Sequence, residues 1–140
     1  MPHLRKRLGR IINVSSGFAV RPVPGLAAYC TSKAALNHFT KTFAEEEKGI
    51  TVMAFRPGAV DTTMQKVIRE KGSPRILKND FDQRVKHHEK GELLSPDLPA
   101  RAIAVLTLYA PREWSGNFVS WDDEDVQTLV KQYCSSKCLK

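Results

Sequence analysis

Three side chains near the amino terminus have the types and the spacing needed to move a proton to a carbonyl group. Tyr29 and Lys33 are four residues apart, so on a helix they lie on one face, one turn apart. A phenol is a poor acid or base at neutral pH, but a neighbouring ammonium favours its ionised form. Ser16 stands thirteen residues before Tyr29. It could hydrogen-bond the carbonyl oxygen while Tyr29 donates the proton, so the trio predicts general acid catalysis of carbonyl reduction or its reverse.

A strand, a turn and a helix must position these residues. Arg10 to Val14 is rich in β-branched residues and predicts a buried strand that ends at Ser15-Ser16-Gly17. A helical pattern runs from Ala27 to Lys48, and Ile50 to Phe55 predicts a second buried strand. Strand, helix and strand form the unit of a parallel sheet. Ser16 would then point into the crevice at the carboxyl ends of the strands, where such sheets bind ligands.

The predicted helix from Ala27 to Lys48 is amphipathic. Its apolar stripe is the face that such a helix normally turns to the core. Tyr29 and Lys33 lie at the border of this stripe, and a polar face lies opposite it. The stripe comprises Ala28, Ser32, Ala35, Leu36, Phe39 and Phe43, and the polar face comprises Asn37, His38, Lys41 and Glu45.

The second half of the chain predicts further helices and one more strand. The polar residues from Ala59 to Leu94 predict short helices and fit a flexible lid. Ser95-Pro96-Asp97 predicts a helix start with Ser95 as the cap. The fold class is therefore α/β, in one domain. The short helices are predicted to break near Gly72-Ser73-Pro74 and Gly91. The helix that starts at Ser95 should end near Tyr109, the strand should cover Phe118 to Trp121, and a last helix should span Glu124 to Tyr133.

The composition is that of a soluble globular domain, with 140 residues, 41% of them hydrophobic and 26% charged. The longest apolar runs are far shorter than the roughly 20 residues that a membrane-spanning helix needs. The basic amino terminus lacks the apolar stretch of a secretory signal, so we expect a cytoplasmic protein without a membrane partner. Three cysteines do not indicate a disulfide framework. Cys134 and Cys138 lack a second ligand pair, so no metal site is predicted.

The net charge of +7 raises the question of nucleic-acid or anionic-surface binding. The basic residues are dispersed, and only Leu4 to Arg10 is dense in them. No aromatic residues alternate with them to form a platform for single-stranded nucleic acid. A solvated surface explains this charge best, and we predict no nucleic-acid partner.

A longer string around the three residues, NVSSGFAVRPVPGLAAYCTSKAAL, together with RPGAVDT after the second strand, resembles the short-chain dehydrogenase/reductase family. The resemblance implies part of a Rossmann-like, doubly wound parallel sheet and an NAD(P)-dependent oxidoreductase acting on a small carbonyl or alcohol. SGNFVSWDD near the carboxyl terminus is similar to the family's small carbonyl-reducing members. By this resemblance the catalytic residues are Ser16, Tyr29 and Lys33, with Tyr29 as general acid and base.

The resemblance also implies the residues that contact NAD or NADP. Besides Tyr29, they are Lys33 on the nicotinamide ribose, the turn Pro57-Gly58, and Val60 and Thr62 at the nicotinamide carboxamide. The residues by themselves leave other interpretations open. Pro57-Gly58 could be only a tight turn, and Thr62 could be the cap of a following helix.

A dinucleotide site needs a glycine-rich turn after the first strand. No two of the eight glycines lie closer than eight residues apart, so the chain contains no Gly-x-x-x-Gly-x-Gly, and NAD cannot be distinguished from NADP. The resemblance covers nearly all of the chain but only the latter half of the family fold. We therefore expect one incomplete domain over residues 1–140, with the last three strands and their helices. The strand Arg10 to Val14 would then have an unpaired edge.

Three hypotheses follow for the whole protein. The first is a fragment of an active reductase that is inactive on its own. The second is a non-catalytic truncated paralogue that binds a partner, with homo- or hetero-oligomers formed through the helix Ala27 to Lys48. The third is a basic module that binds nucleic acid or an anionic surface.

Overall fold

The computed structural model describes residues 1–71 and 78–134. Three parallel strands form one sheet in the order β1-β2-β3. Helices pack on both of its faces, so the predicted α/β class with a Rossmann-like parallel sheet is confirmed. The break predicted near Gly72-Ser73-Pro74 lies outside the described residues. The strands are β1 (Arg10–Val14), β2 (Thr51–Arg56) and β3 (Phe118–Ser120).

Strand β2 is the central strand of the sheet, and its four middle residues, Val52 to Phe55, are apolar. The first five of its six residues are buried, as expected for a parallel strand that is covered on both faces. Val14 of β1 pairs with Phe55, and Ala54 pairs with Phe118 of β3. Among the described residues β1 has a strand neighbour on one side only. The carboxyl ends of β1 and β2 therefore meet at the same rim of the sheet.

The helices follow the predicted pattern closely. The helix after β1 ends two residues before the predicted Lys48, and the last helix has the predicted bounds. Pro96 occupies the N-cap position of the following helix with helical dihedral angles, and the Ser95 hydroxyl oxygen accepts from the Asp97 N–H at 3.4 Å. The helices are α1 (Pro2–Lys6), α2 (Ala27–Glu46), α3 (Thr63–Lys71), α4 (Lys78–Glu89), α5 (Asp97–Tyr109) and α6 (Glu124–Tyr133).

Two apolar clusters sandwich the sheet, because successive side chains of a strand point to opposite faces. One cluster packs α5 and α6 against the sheet, and the other packs α2 and the residue before β2 against it. The first contains Met53, Phe55, Ala102, Leu106, Ala110 and Val126, and the second contains Ala44, Ile50 and Val52.

The predicted orientation of α2 is wrong. Its buried residues are Thr40 and Ala44, whereas Phe39 of the apolar stripe is 53% exposed. The reason is that the side chains facing α2 near the rim, Asn13 of β1 and Ser15 directly after β1, are polar and form hydrogen bonds with the helix. A helix that meets polar partners turns its polar residues inward. The apolar stripe is therefore left largely on the surface.

Neither described stretch includes a helix that is both long and apolar enough to traverse a bilayer. Within the same residues, no three His, Cys, Asp or Glu side chains come together as a metal site would require. Cys134 is a half-buried free thiol. Cys138, which the sequence analysis considered together with Cys134, lies outside the described part of the chain.

Candidate active site

A cavity of about 580 Å³ opens at the rim where β1 and β2 end. Ser16 comes two residues after β1, and Pro57-Gly58 comes directly after β2. Tyr29 reaches the cavity from the first turn of α2. The structure thus brings four of the sequence-predicted site residues together. The cavity lining comprises Ser15, Ser16, Gly17, Phe18, Val20, Arg21, Leu26, Tyr29, Arg56, Pro57, Gly58, Ala59, Met64, Gln65 and Ile68.

Ser16 is held by the short 3-10 helix that follows it. Its backbone is extended, and its hydroxyl oxygen accepts from the Phe18 N–H at 3.2 Å, which caps that helix. The preceding Ser15 N–H donates to the Phe55 carbonyl at 2.8 Å, so the end of β1 is fixed to β2. Because the Ser16 hydroxyl acts as an acceptor in this cap, its own proton remains available to a ligand.

Lys33 lies beside Tyr29. Its Nζ is 5.8 Å from the centroid of the Tyr29 ring and donates to the Val14 carbonyl at 2.8 Å. The Phe18 ring packs edge-on against Tyr29 with centroids 6.2 Å apart. The Tyr29 ring therefore has both a cation and an aromatic ring as neighbours. Lys33 itself is not one of the residues that line the cavity.

Hydrogen bonds fix the position of α2 on β1. The Ser15 hydroxyl donates to Asn37 Oδ1 at 2.6 Å, and Asn13 Nδ2 donates to Thr40 Oγ1 at 2.9 Å. Together with the bond from Lys33, these contacts run along one face of the helix. The sequence interpretation placed Asn37 on the polar face opposite the apolar stripe, and in the structure Asn37 turns toward the end of β1. The missed signal was the spacing, since Asn37 and Thr40 follow Lys33 by four and seven residues and so share its face.

The turn after β2 requires a glycine. Gly58 has a φ of +82°, a conformation that other residues rarely adopt. A Cβ atom at this position would lie 2.6 Å from both Leu94 Cδ1 and Trp121 Nε1. The tight-turn interpretation of Pro57-Gly58 is therefore correct, and the same two residues also line the cavity.

Val60 and Thr62 are not among the residues that line the cavity. Val60 forms a parallel bridge with Leu94. Thr62 Oγ1 accepts from the Gln65 N–H at 3.5 Å at the start of α3, which fits the helix-cap interpretation. The contacts of both residues with a nicotinamide stay predictions.

The only charged side chains in the lining are those of Arg21 and Arg56. Sequence reasoning missed both. Their positions gave a signal, because Arg21 lies in the loop between Ser16 and Tyr29 and Arg56 directly precedes Pro57-Gly58. The Arg21 guanidinium lies over the Phe18 ring, 5.1 Å from its centroid. The cavity thus combines two proton-donating groups, two cations and an apolar wall.

Comparison with known proteins gives a consistent result. The family model described as short chain dehydrogenase matches residues 1–73, a stretch that contains every predicted site residue. An uncharacterised oxidoreductase of Schizosaccharomyces pombe is 42% identical over 122 residues, which are 86% of this chain and 49% of that protein. A benzil reductase of Saccharomyces cerevisiae, described as (S)-benzoin forming, is 40% identical over 84% of this chain and 46% of its own length.

A solved structure agrees with the fold. The crystal structure of a short chain dehydrogenase/reductase from Saccharomyces cerevisiae superposes with a TM-score of 0.87 at 35% identity, covering 91% of this chain and 51% of that one. The chain spans about half the length of these relatives. On the family match and these identities, the chain belongs to the short-chain dehydrogenase family.

Proposed function

We propose that the chain forms the catalytic half of an NAD(P)-dependent oxidoreductase that interconverts a carbonyl compound and an alcohol. The observation that carries the proposal is that Ser16 and Tyr29 line one cavity while the Lys33 ammonium lies beside the Tyr29 ring. The names of the relatives, an oxidoreductase and a reductase, support this reaction class. Because the chain spans about half of each relative, the activity belongs to a protein that also contains a nucleotide-binding half.

In the proposed reaction the carbonyl oxygen accepts a hydrogen bond from the Ser16 hydroxyl. Tyr29 donates its phenolic proton to the same oxygen, which completes the alcohol. The Lys33 ammonium stabilises the phenolate that remains, and its bond to the Val14 carbonyl keeps it at the required place. In the reverse direction the phenolate takes the proton from the alcohol. A nicotinamide, when bound, supplies or removes the hydride.

The residues present fit the nicotinamide end of such a cofactor. An ammonium has three N–H donors, and the Lys33 hydrogen bond to Val14 uses one of them. The other donors could bind ribose hydroxyls. Pro57 and Gly58 offer a cavity wall of backbone and ring surface. The glycine-rich turn that the pyrophosphate needs is not among the 140 residues, so we propose that the chain alone has no turnover.

The test joins this chain to the amino-terminal half of the Schizosaccharomyces pombe relative. Oxidation of NADH and NADPH would be followed with benzil and with phenylglyoxylate as carbonyl probes. Tyr29→Phe should lower kcat by about a hundredfold or more, the usual range for loss of a general acid. Tyr109→Phe, on the exposed end of α5, is the matched control and should leave turnover unchanged. Undiminished kcat in the Tyr29→Phe protein, or turnover by the 140 residues alone, would contradict the proposal.

The exposed face of α2 favours a second function, pairing with another polypeptide. Phe39 is 53% exposed and stacks on Phe43 with ring centroids 5.3 Å apart. We propose a full-length relative as the partner. Co-purification should be lost in Phe39→Glu and kept in Lys41→Glu, which changes charge on the other side of the helix. Recovery of the chain only as an isolated aggregate would count against pairing.

A further inference from the structure

The two arginines of the cavity have no carboxylate near them in its wall. None of the lining residues is an Asp or a Glu. The contact that Arg21 makes is with the face of the Phe18 ring. Four other arginines of the described residues each have an oxygen partner: Arg5 bonds Glu47, Arg10 bonds the Ala110 carbonyl, Arg69 pairs with Asp61, and Arg112 bonds the Lys48 carbonyl. The cavity thus has two cations that its own wall does not neutralise.

Arg56 is held beside the proton-donating groups. Its backbone carbonyl accepts from the Trp121 N–H at 2.9 Å, so the residue is fixed in the sheet. Its side chain passes over Gly17, where an added Cβ would lie 3.5 Å from Arg56 Nε and 3.9 Å from Cζ. Gly17 directly follows Ser16. The guanidinium is therefore next to the point where the carbonyl oxygen of a substrate would bind.

We infer that the substrate is an oxo acid whose carboxylate binds Arg56, with Arg21 as a second cation at the cavity wall. The inference rests on the proposed function, which puts the reacting carbonyl at Ser16 and Tyr29. A guanidinium presents a planar pair of N–H donors that matches a carboxylate, and it stays charged at any physiological pH. Because the Arg56 side chain lies over Gly17, the residue next to Ser16, a carboxylate on Arg56 and a ketone at Ser16 would be close in the substrate. This spacing is that of a 2-oxo or 3-oxo acid.

The rest of the cavity wall indicates which chemical group the substrate carries beyond its oxo-acid end. Its side chains are mostly apolar and come from the loop before α2 and from α3. A substrate that fills the cavity would therefore carry an alkyl or aryl group beyond its oxo-acid end, which is the usual pattern of an apolar site with a few polar groups. The apolar lining comprises Phe18, Val20, Leu26, Met64 and Ile68.

Binding can be measured without cofactor or turnover, so this inference and the proposed function can fail separately. The probes are phenylglyoxylate and its methyl ester, which share the ring and the ketone and differ in charge. Calorimetric titration of the 140-residue chain should show the acid binding about tenfold more tightly than the ester, as expected for a charge-assisted pair that solvent partly screens. Raising the salt concentration should weaken binding of the acid and leave the ester unchanged.

The variants locate the effect. Arg56→Gln should remove most of the preference for the acid, and Arg56→Lys should restore only part of it, because an ammonium lacks the planar fork. Arg21→Gln should weaken acid binding less. Arg101→Gln, an exposed arginine on α5, is the matched control. Circular dichroism would show that each variant is folded. Equal binding of acid and ester, an unchanged preference in folded Arg56→Gln, or no binding of either probe would overturn the inference.

Discussion

Thr40 is the residue at which the docking of α2 on the sheet can be tested most directly. Its side chain is fully buried. Its hydroxyl donates to the Leu36 carbonyl at 2.8 Å and accepts from Asn13 Nδ2 at 2.9 Å. Thr40→Val keeps the shape of the side chain and removes both bonds. The Leu36 carbonyl is already satisfied within the helix, so the cost should come from the amide of Asn13.

The size of the effect follows from that single orphaned donor. A typical hydrogen bond contributes about 1 kcal/mol net, and a buried donor left without a partner costs about 1–3 kcal/mol. Asn13 is only half-buried, so a hydrogen bond from its amide to water offsets part of this cost. We expect Thr40→Val to lower the free energy of unfolding by about 1–2 kcal/mol. For a chain of 140 residues this corresponds to a decrease in Tm of about 3–7 °C.

Urea denaturation provides the assay, with Thr107→Val as the control. The Thr107 hydroxyl makes the same bond to the carbonyl four residues earlier, at 2.7 Å, but it is exposed and supports no second residue. Its replacement should change stability by less than about 0.5 kcal/mol. A double-mutant cycle with Asn13→Ala should give a coupling of about 0.5–1.5 kcal/mol. A coupling near zero, or equal effects of the two threonine substitutions, would refute the role given to this bond.

Two further predictions concern the turn after β2 and the surface ion pair of α1. Gly58→Ala should lower the free energy of unfolding by about 1–3 kcal/mol or more. An alanine would be strained in this left-handed conformation, and its Cβ would lie 2.6 Å from two side chains. Gly49→Ala, with nothing within 4 Å of the added atom, should be neutral or slightly stabilising by thermal denaturation. The hydrogen bond from Arg5 lowers the pKa of Glu47, although desolvation opposes the shift. Stability from this pair should be present at neutral pH and decline as the pH falls through the lowered pKa, a decline that Arg5→Gln should reduce in acid titrations.

The strands and most helix bounds could be predicted because they depend on local patterns. Arg10 to Val14 is rich in β-branched residues, and the strand lies at the predicted residues. Glu124 to Tyr133 forms the predicted last helix with acidic residues in its first turn. Ser16 and Tyr29 meet at one rim because Ser16 follows the carboxyl end of β1 and α2 begins at that same end. Each of these features is encoded within a few residues of where it appears.

The orientation of α2 could not be predicted from its apolar stripe because it depends on another element. The pattern of the helix favours burial of Phe39, but the side chains that the helix meets are Asn13 of β1 and Ser15 directly after β1. A buried amide or hydroxyl left unpaired costs about 1–3 kcal/mol, so two such groups together outweigh the burial of one phenylalanine. The helix therefore turns Asn37 and Thr40 toward β1. An apolar stripe predicts which face of a helix is buried only where the surface that the helix packs against is itself apolar.

The position of Arg56 shows how the strand period links fold to the inferred specificity. Met53 and Phe55 point into the cluster with α5 and α6, and Val52 points toward α2. Because side chains alternate, a residue an even number of positions after Val52 falls on the α2 side. Arg56 is that residue, and it stands where the strand leaves the core, so its charge meets the cavity rather than the apolar interior. A shift of one position would direct the guanidinium into the α5 and α6 cluster, where an unpaired charge is too costly to bury. The strand register that buries Met53 and Phe55 thus also places the Arg56 guanidinium near Ser16.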